Sequence, residues 1–185
     1  MRTETAVPSR GPTPADRVLL QRAVVSSALV GSALIHGAVA GEHFGEWLPA
    51  GVFFLVVQLV ELLLALAAAF AWDKRVAMLV VVTGVGTVLV WLVSRTTGMP
   101  VGPADFRVAE PVGLTDVLCG VLELASALAA VPALRSVTAA PTARPGRGGI
   151  VAAAVAVVAA LALTTCAMVP SVAGGGHEHV GSHAR

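Results

Sequence analysis

The residues of this chain that could do chemistry are few, and they fall at helical spacings inside apolar runs. Gln58 and Glu61 are three apart, on one face of a helix. Asp116 and Glu123 are seven apart and again share a face, with Cys119 and Gly120 between them. His36 lies in an earlier apolar run, and His43 follows it by two helical turns. An ionisable group in hydrocarbon is costly, so each is a functional candidate. Counted by helix rise, Glu61 and Glu123 each lie roughly 18 Å into their runs, near the centre of a bilayer core of about 30 Å. His36 and Asp116 lie in the outer third on the same count.

Two chemistries fit these residue types. Imidazole, thiolate and thioether suit copper(I) or zinc. The residues that could supply them are His36, His43, Cys119, Cys166, Met99 and Met168, together with His177, His179 and His183 near the C-terminus. The ligand types are present without a metal-binding spacing, because there is no C-x-x-C and no H-E-x-x-H. A proton or ion path through Glu61 and Glu123 is the second chemistry. Plainer readings stand beside both. Buried Glu61 and Glu123 also serve as neutral donors that hold helices together, and His36 as a helix–helix hydrogen-bond partner. Cys119 and Cys166 also read as small apolar residues, and Asp116 as an exposed first-turn acid, favoured by the dipole of a helix that Thr115 would cap. Enzyme motifs are lacking: there is no G-x-S-x-G, no P-loop and no dinucleotide fingerprint. Thr83-Gly-Val-Gly-Thr87 lies in mid-run and follows no strand.

The elements that must position these residues are membrane spans. Of 185 residues, 56% are hydrophobic and 12% charged, with mean hydropathy +0.85. Soluble domains carry about 25% charged residues, so the composition places the chain in a bilayer. Near-neutral charge speaks against nucleic acid as a partner. Five runs are long enough for an apolar helix of roughly 20 residues: 19–40, 49–72, 76–94, 111–131 and 150–169. Hydrocarbon offers the backbone no partners, so each must be helical. The expected fold is therefore all-α, a polytopic transmembrane bundle of five helices. The first run could instead be a signal peptide ending at Ala38-Val-Ala40, although its polar leader is long for one. Residues 1–18 read as a disordered tail, 41–48 as a polar turn, 95–110 as a loop, and 170–185 as a His- and Gly-rich tail.

Cation bias orients the bundle. With the N-terminus cytoplasmic, the inner segments hold nine cations: Arg2, Arg10, Arg17, Arg22, Lys74, Arg75, Arg135, Arg144 and Arg147. The outer segments hold three: Arg95, Arg107 and Arg185. This bias sets the C-terminus outside, in the plasma membrane. Small residues provide close-packing faces, such as Ala28, Ser32, His36 and Ala40 at steps of four.

The segment from Trp91 to Glu123 carries a further pattern: Trp91-x-x-Ser94-Arg-Thr-x-Gly98-x-Pro100-x-Gly102-Pro103, then Glu110-Pro-Val-Gly-x-x-Asp116 and Glu123. With His43-Phe-x-Glu-Trp-x-Pro49-Ala-Gly-Val-Phe-Phe and Gln58, it resembles a group of small uncharacterised multi-pass membrane proteins of high-GC actinobacteria. The resemblance spans roughly residues 36–130. It implies a membrane location, draws attention to His36, His43, Gln58, Arg95 and Asp116, and lends no reaction. Gly98, Pro100, Gly102 and Pro103 predict a defined turn. Folded down, Val101, Phe106 and Val108 would lid an outward-facing polar pocket, with Arg95 paired to Asp116 or Glu110. The function expected is that of a non-enzymatic membrane component or accessory subunit, with a membrane-protein partner or a second copy of the chain. Outer-face copper or zinc binding, or proton-coupled transport, are the alternatives.

Overall fold

The computed structural model describes residues 11–135 and 144–173, with side chains through residue 168. Its order is α1 (Pro14–Glu46), α2 (Leu48–Phe70), α3 (Lys74–Thr96), a 3-10 turn (Ala104–Arg107), α4 (Leu114–Arg135) and α5 (Arg147–Ala173). Among the described residues the protein is all-helical, and each of the five long helices is long and apolar enough to cross a membrane. The tail imidazoles His177, His179 and His183 lie outside the described residues.

The helices begin and end where side chains can satisfy their orphan backbone groups. At the start of α1, Thr13 and Asp16 form a capping box: the Asp16 amide donates to Thr13 Oγ1 at 3.2 Å, and the Thr13 amide donates to Asp16 Oδ2 at 2.9 Å. Pro14 occupies the first turn, where its missing N–H costs little. Asp73 caps α3 by accepting the Val76 amide at 2.8 Å.

Several helix boundaries differ from the hydropathy reading, those of α5 among them, which begins three residues before and ends four residues after the expected 150–169. Residues 14–18 are helical rather than part of a tail, because the capping box starts the helix early. The polar stretch 41–46 extends α1 instead of turning. His43 and Glu46 pair across one turn at 2.9 Å, and only Trp47 separates α1 from α2. α4 starts at Leu114, later than expected, and runs on through Pro132 to Arg135.

α1 is the central staff. Half of its apolar window is buried inside the bundle, against 17% for α3. One apolar cluster joins Val25 and Leu29 of α1 to Leu64, Ala65 and Ala68 of α2, Ala77 and Val80 of α3, and Ala130 of α4. A second joins Ala28 and Ile35 to Cys119 and Leu122 of α4 and to Ala160 and Ala167 of α5. Small residues set the spacing. A Cβ on Gly84 of α3 would lie 2.9 Å from the backbone oxygen of Glu123 on α4. The side chain of Thr164 on α5 occupies the space a Cβ on Gly31 of α1 would need. Such close approach is what drives helices together in lipid, where burying leucine gains little. Accordingly, Leu55, Leu59, Leu63 and Leu66 of α2 remain on the bundle surface.

Candidate functional site

The apolar runs carry their polar residues to one place. Helical periodicity puts Ser32 and His36 on the same stripe of α1. Glu61 projects from α2, Cys119 and Glu123 one turn apart from α4, and Thr87 from α3. Glu61 and Ser32 are fully buried, Glu123 is 2% exposed, and His36 and Cys119 are 7% exposed each.

Every one of these groups has partners. His36 Nδ1 lies 2.9 Å from Glu61 Oε2, and His36 Nε2 lies 3.5 Å from Glu123 Oε1. Cys119 Sγ is 3.6 Å from His36 Nε2 and 3.3 Å from Ser32 Oγ. Ser32 Oγ lies 2.9 Å from Glu61 Oε1 and 3.3 Å from Glu123 Oε1. Having a single proton, it can donate to only one of these carboxylates at a time. Thr87 Oγ1 donates to the other oxygen of Glu123, Oε2. Burial without water makes such satisfaction obligatory.

Above this cluster is a cavity of about 360 Å³. His36, Cys119 and Glu123 line its floor, and Phe53, Phe54, Val88 and Trp91 belong to its walls. The connection between α3 and α4 folds over it. Gly98 and Gly102 adopt φ of 76° and 109°, the left-handed region that suits glycine. The Met99 amide then donates to the Phe106 carbonyl at 2.7 Å, and the Glu110 amide to the Ser94 carbonyl at 3.1 Å. Phe106 meets Trp47 edge-on with ring centroids 5.5 Å apart, which ties the loop to the end of α1. Val101 and Phe106 line the cavity, whereas Val108 stays exposed and takes no part in the lid.

Arg95 stands at the cavity wall between two acids. Its Nη1 bonds Glu110, and its Nη2 lies 2.9 Å from Asp116 Oδ2. Asp116 also accepts the Gly113 amide at 2.9 Å, so it is both a first-turn acid of α4 and the partner of Arg95. Two buried donors at the cavity, Trp91 Nε1 and Arg95 Nε, have no hydrogen-bond acceptor among the described residues.

The residues singled out in the sequence thus divide. His36, Glu61, Cys119 and Glu123 converge; Arg95 and Asp116 sit above them. His43 lines the cavity but stacks on Phe54, with ring centroids 4.4 Å apart, and bonds Glu46 rather than the cluster. Gln58 lies against Gly37 at the α1–α2 contact and outside the cavity lining. Cys166 is exposed on α5 and both cysteines are free, so it neither joins the cluster nor bridges to Cys119. α5 turns it outward, one residue before the buried Ala167. Sequence reasoning passed over Ser32 as packing, and over Thr87 as part of a mid-run glycine pattern. Ser32 stands four residues before His36, the one signal that could have flagged it. Comparison with family models, with curated proteins and with solved structures returns no match.

Proposed function

We propose that this chain is a non-enzymatic component of the plasma membrane that binds a cation in a lidded pocket facing the outer side. The observation that carries the reading is the charge of the pocket. Glu110, Asp116 and Glu123 line it against one guanidinium, Arg95, and Glu61 lies directly behind His36. A floor of buried carboxylates below a mouth that is itself acidic on balance favours a positive guest. The cation bias of the sequence puts this end of the bundle outside.

Binding is favoured over passage. Beyond the cluster, residues 23–31, 62–72, 76–86, 124–134 and 148–163 contain no Asp, Glu, Lys, Arg or His. A relay across hydrocarbon needs a chain of such groups, so a cation reaching Glu123 has no further ionisable side chain to move to in this arrangement. The membrane-component reading, with a partner protein or second copy, is compatible with a site of this kind.

The test is equilibrium binding of Zn2+, Cu+, Mn2+, Ca2+ and Mg2+ to the purified full chain in lipid nanodiscs. One equivalent of at least one of these should bind and be lost in Glu123→Gln. No stoichiometric binding of any of them would overturn the reading. Reporter fusions at positions 5 and 180 check its orientation, which fails if both report the same side.

A further inference from the structure

We infer that His36, Cys119 and Glu123 form a mononuclear zinc site at the floor of the cavity, with Glu61 as the outer partner of the histidine. This inference rests on the cation-binding reading and names the cation. Its first support is geometric. Zinc bound tetrahedrally, with Zn–N about 2.0–2.1 Å and Zn–S about 2.3 Å, requires an N···S edge of about 3.6 Å and an N···O edge of about 3.3 Å. The His36 Nε2 to Cys119 Sγ distance is 3.6 Å, and His36 Nε2 to Glu123 Oε1 is 3.5 Å. All three donor atoms lie within 4.8 Å of one another. Two edges thus already match a tetrahedral site, and the third, between Cys119 Sγ and a Glu123 oxygen, is no longer than 4.8 Å against the roughly 3.6 Å that zinc requires.

The second support is the hydrogen bonding around the donors. Glu61 Oε2 faces His36 Nδ1 at 2.9 Å. A proton on Nδ1 leaves the lone pair of Nε2 directed at the other two ligands, the carboxylate–histidine–metal arrangement of zinc proteins. Thr87 occupies Glu123 Oε2, which leaves Oε1 on the side of His36 and Cys119. His36 and Glu123 are thus each held by a neighbour at an atom that the ion does not need, and Ser32 Oγ, 3.3 Å from both Cys119 Sγ and Glu123 Oε1, can turn its proton to Glu61 Oε1 when the ion takes those two atoms.

Charge and ligand type select the metal. The Cys119 thiolate and the Glu123 carboxylate balance a divalent ion directly and leave only the Glu61 carboxylate in excess, whereas Cu(I) would leave two negative charges in a low-dielectric site. A carboxylate is also a poor ligand for Cu(I), and nitrogen and sulfur donors are poor for Mg2+ or Ca2+. Because all three ligands line the cavity, a fourth ligand, water or a small anion, reaches the ion from that side. Three protein ligands with one open position are the pattern of exchangeable or reactive zinc rather than of closed structural sites.

The experiment uses the full chain carrying His177→Ala, His179→Ala and His183→Ala, which removes the tail imidazoles as competing ligands. Zinc titration is read by competition with a chromogenic chelator. Co2+ substitution is read by its thiolate charge-transfer band, and X-ray absorption identifies the donor atoms. One equivalent should bind with a single sulfur in the shell. Cys166→Ser should retain the charge-transfer band and Cys119→Ser should lose it. Glu61→Gln should keep the band while weakening zinc by about 10- to 100-fold, as for other outer partners. A shell of oxygen and nitrogen alone in the unsubstituted cysteine background overturns the site, even if Cys119→Ser fails to fold. If Mn2+, Ca2+ or Mg2+ then binds and is lost in Glu123→Gln, the broader cation reading survives without it. If no cation binds, both fall.

Discussion

Replacing Arg95 by methionine tests how the mouth of the cavity is held together. Arg95 bonds Glu110 through Nη1 and lies 2.9 Å from Asp116 through Nη2. Its side chain is 14% exposed, and those of Glu110 and Asp116 are 32% and 29% exposed. Breaking a fully buried ion pair costs about 3–5 kcal/mol, because the remaining charge is stranded. Breaking an exposed pair costs about 0.2–1 kcal/mol. With nearly a third of each carboxylate in solvent, the expected loss lies between, at about 1–3 kcal/mol after allowance for screening. For a chain of this size, that is roughly a 2–12 °C drop in the unfolding midpoint. The assay is thermal unfolding in mild detergent, followed by tryptophan fluorescence, since Trp91 is one turn from Arg95. The triple variant Arg95→Met, Glu110→Gln, Asp116→Asn should recover most of the loss, because it leaves no stranded charge. An unchanged midpoint in the single variant would refute the argument. So would a triple variant as unstable as the single, which would trace the loss to packing of the arginine stem.

Three further outcomes are expected. Gly84→Val should destabilise by about 1–3 kcal/mol as an overpacked contact, because its Cβ meets the Glu123 backbone oxygen at 2.9 Å. It should also weaken any ligand held by Glu123, and unchanged thermal stability and binding would contradict the close α3–α4 contact. Gly98→Ala places a side chain at φ 76° against the Arg107 backbone, which should cost about 1–2 kcal/mol. Limited proteolysis within 95–110 should accelerate, and a rate equal to that of the unsubstituted protein would argue against the folded lid. A small apolar maleimide in detergent should label exposed Cys166 well before buried Cys119. Equal rates, or a mass change on reduction showing a disulfide, would contradict the arrangement.

Helix number and type were legible because hydrocarbon permits one solution per apolar run. The helix ends were less so. Gly41 to Glu46 looks like a turn on hydropathy alone, yet a helix that has already formed extends cheaply through polar residues once it leaves the apolar layer. The His43–Glu46 pair falls within that extension. The tie of Arg95 to both Asp116 and Glu110 lies within a short stretch of chain, which is why opposite charges around a glycine- and proline-rich turn could suggest it. Cys166 looked equivalent to Cys119 because both are lone thiols in apolar runs. Only the rotation of α5 separates them, and a run built almost wholly from Ala, Val and Leu carries little signal for its own rotation.

The sequence by itself determined that five helices form, which residues are too costly to leave in hydrocarbon without partners, and which faces of α1, α2 and α4 carry them. Periodicity within a helix is a local property, so spacing reveals it. The tertiary structure alone decided that the stripe of α1, the acid of α2 and the Cys119–Glu123 turn of α4 meet at one point, with Thr87 of α3 beside them. That convergence depends on the order and rotation of helices around α1. Those in turn rest on contacts between residues far apart in the chain, such as Gly31 with Thr164 and Gly84 with Glu123. Small residues permit such contacts at many positions, and only the assembled bundle selects among them.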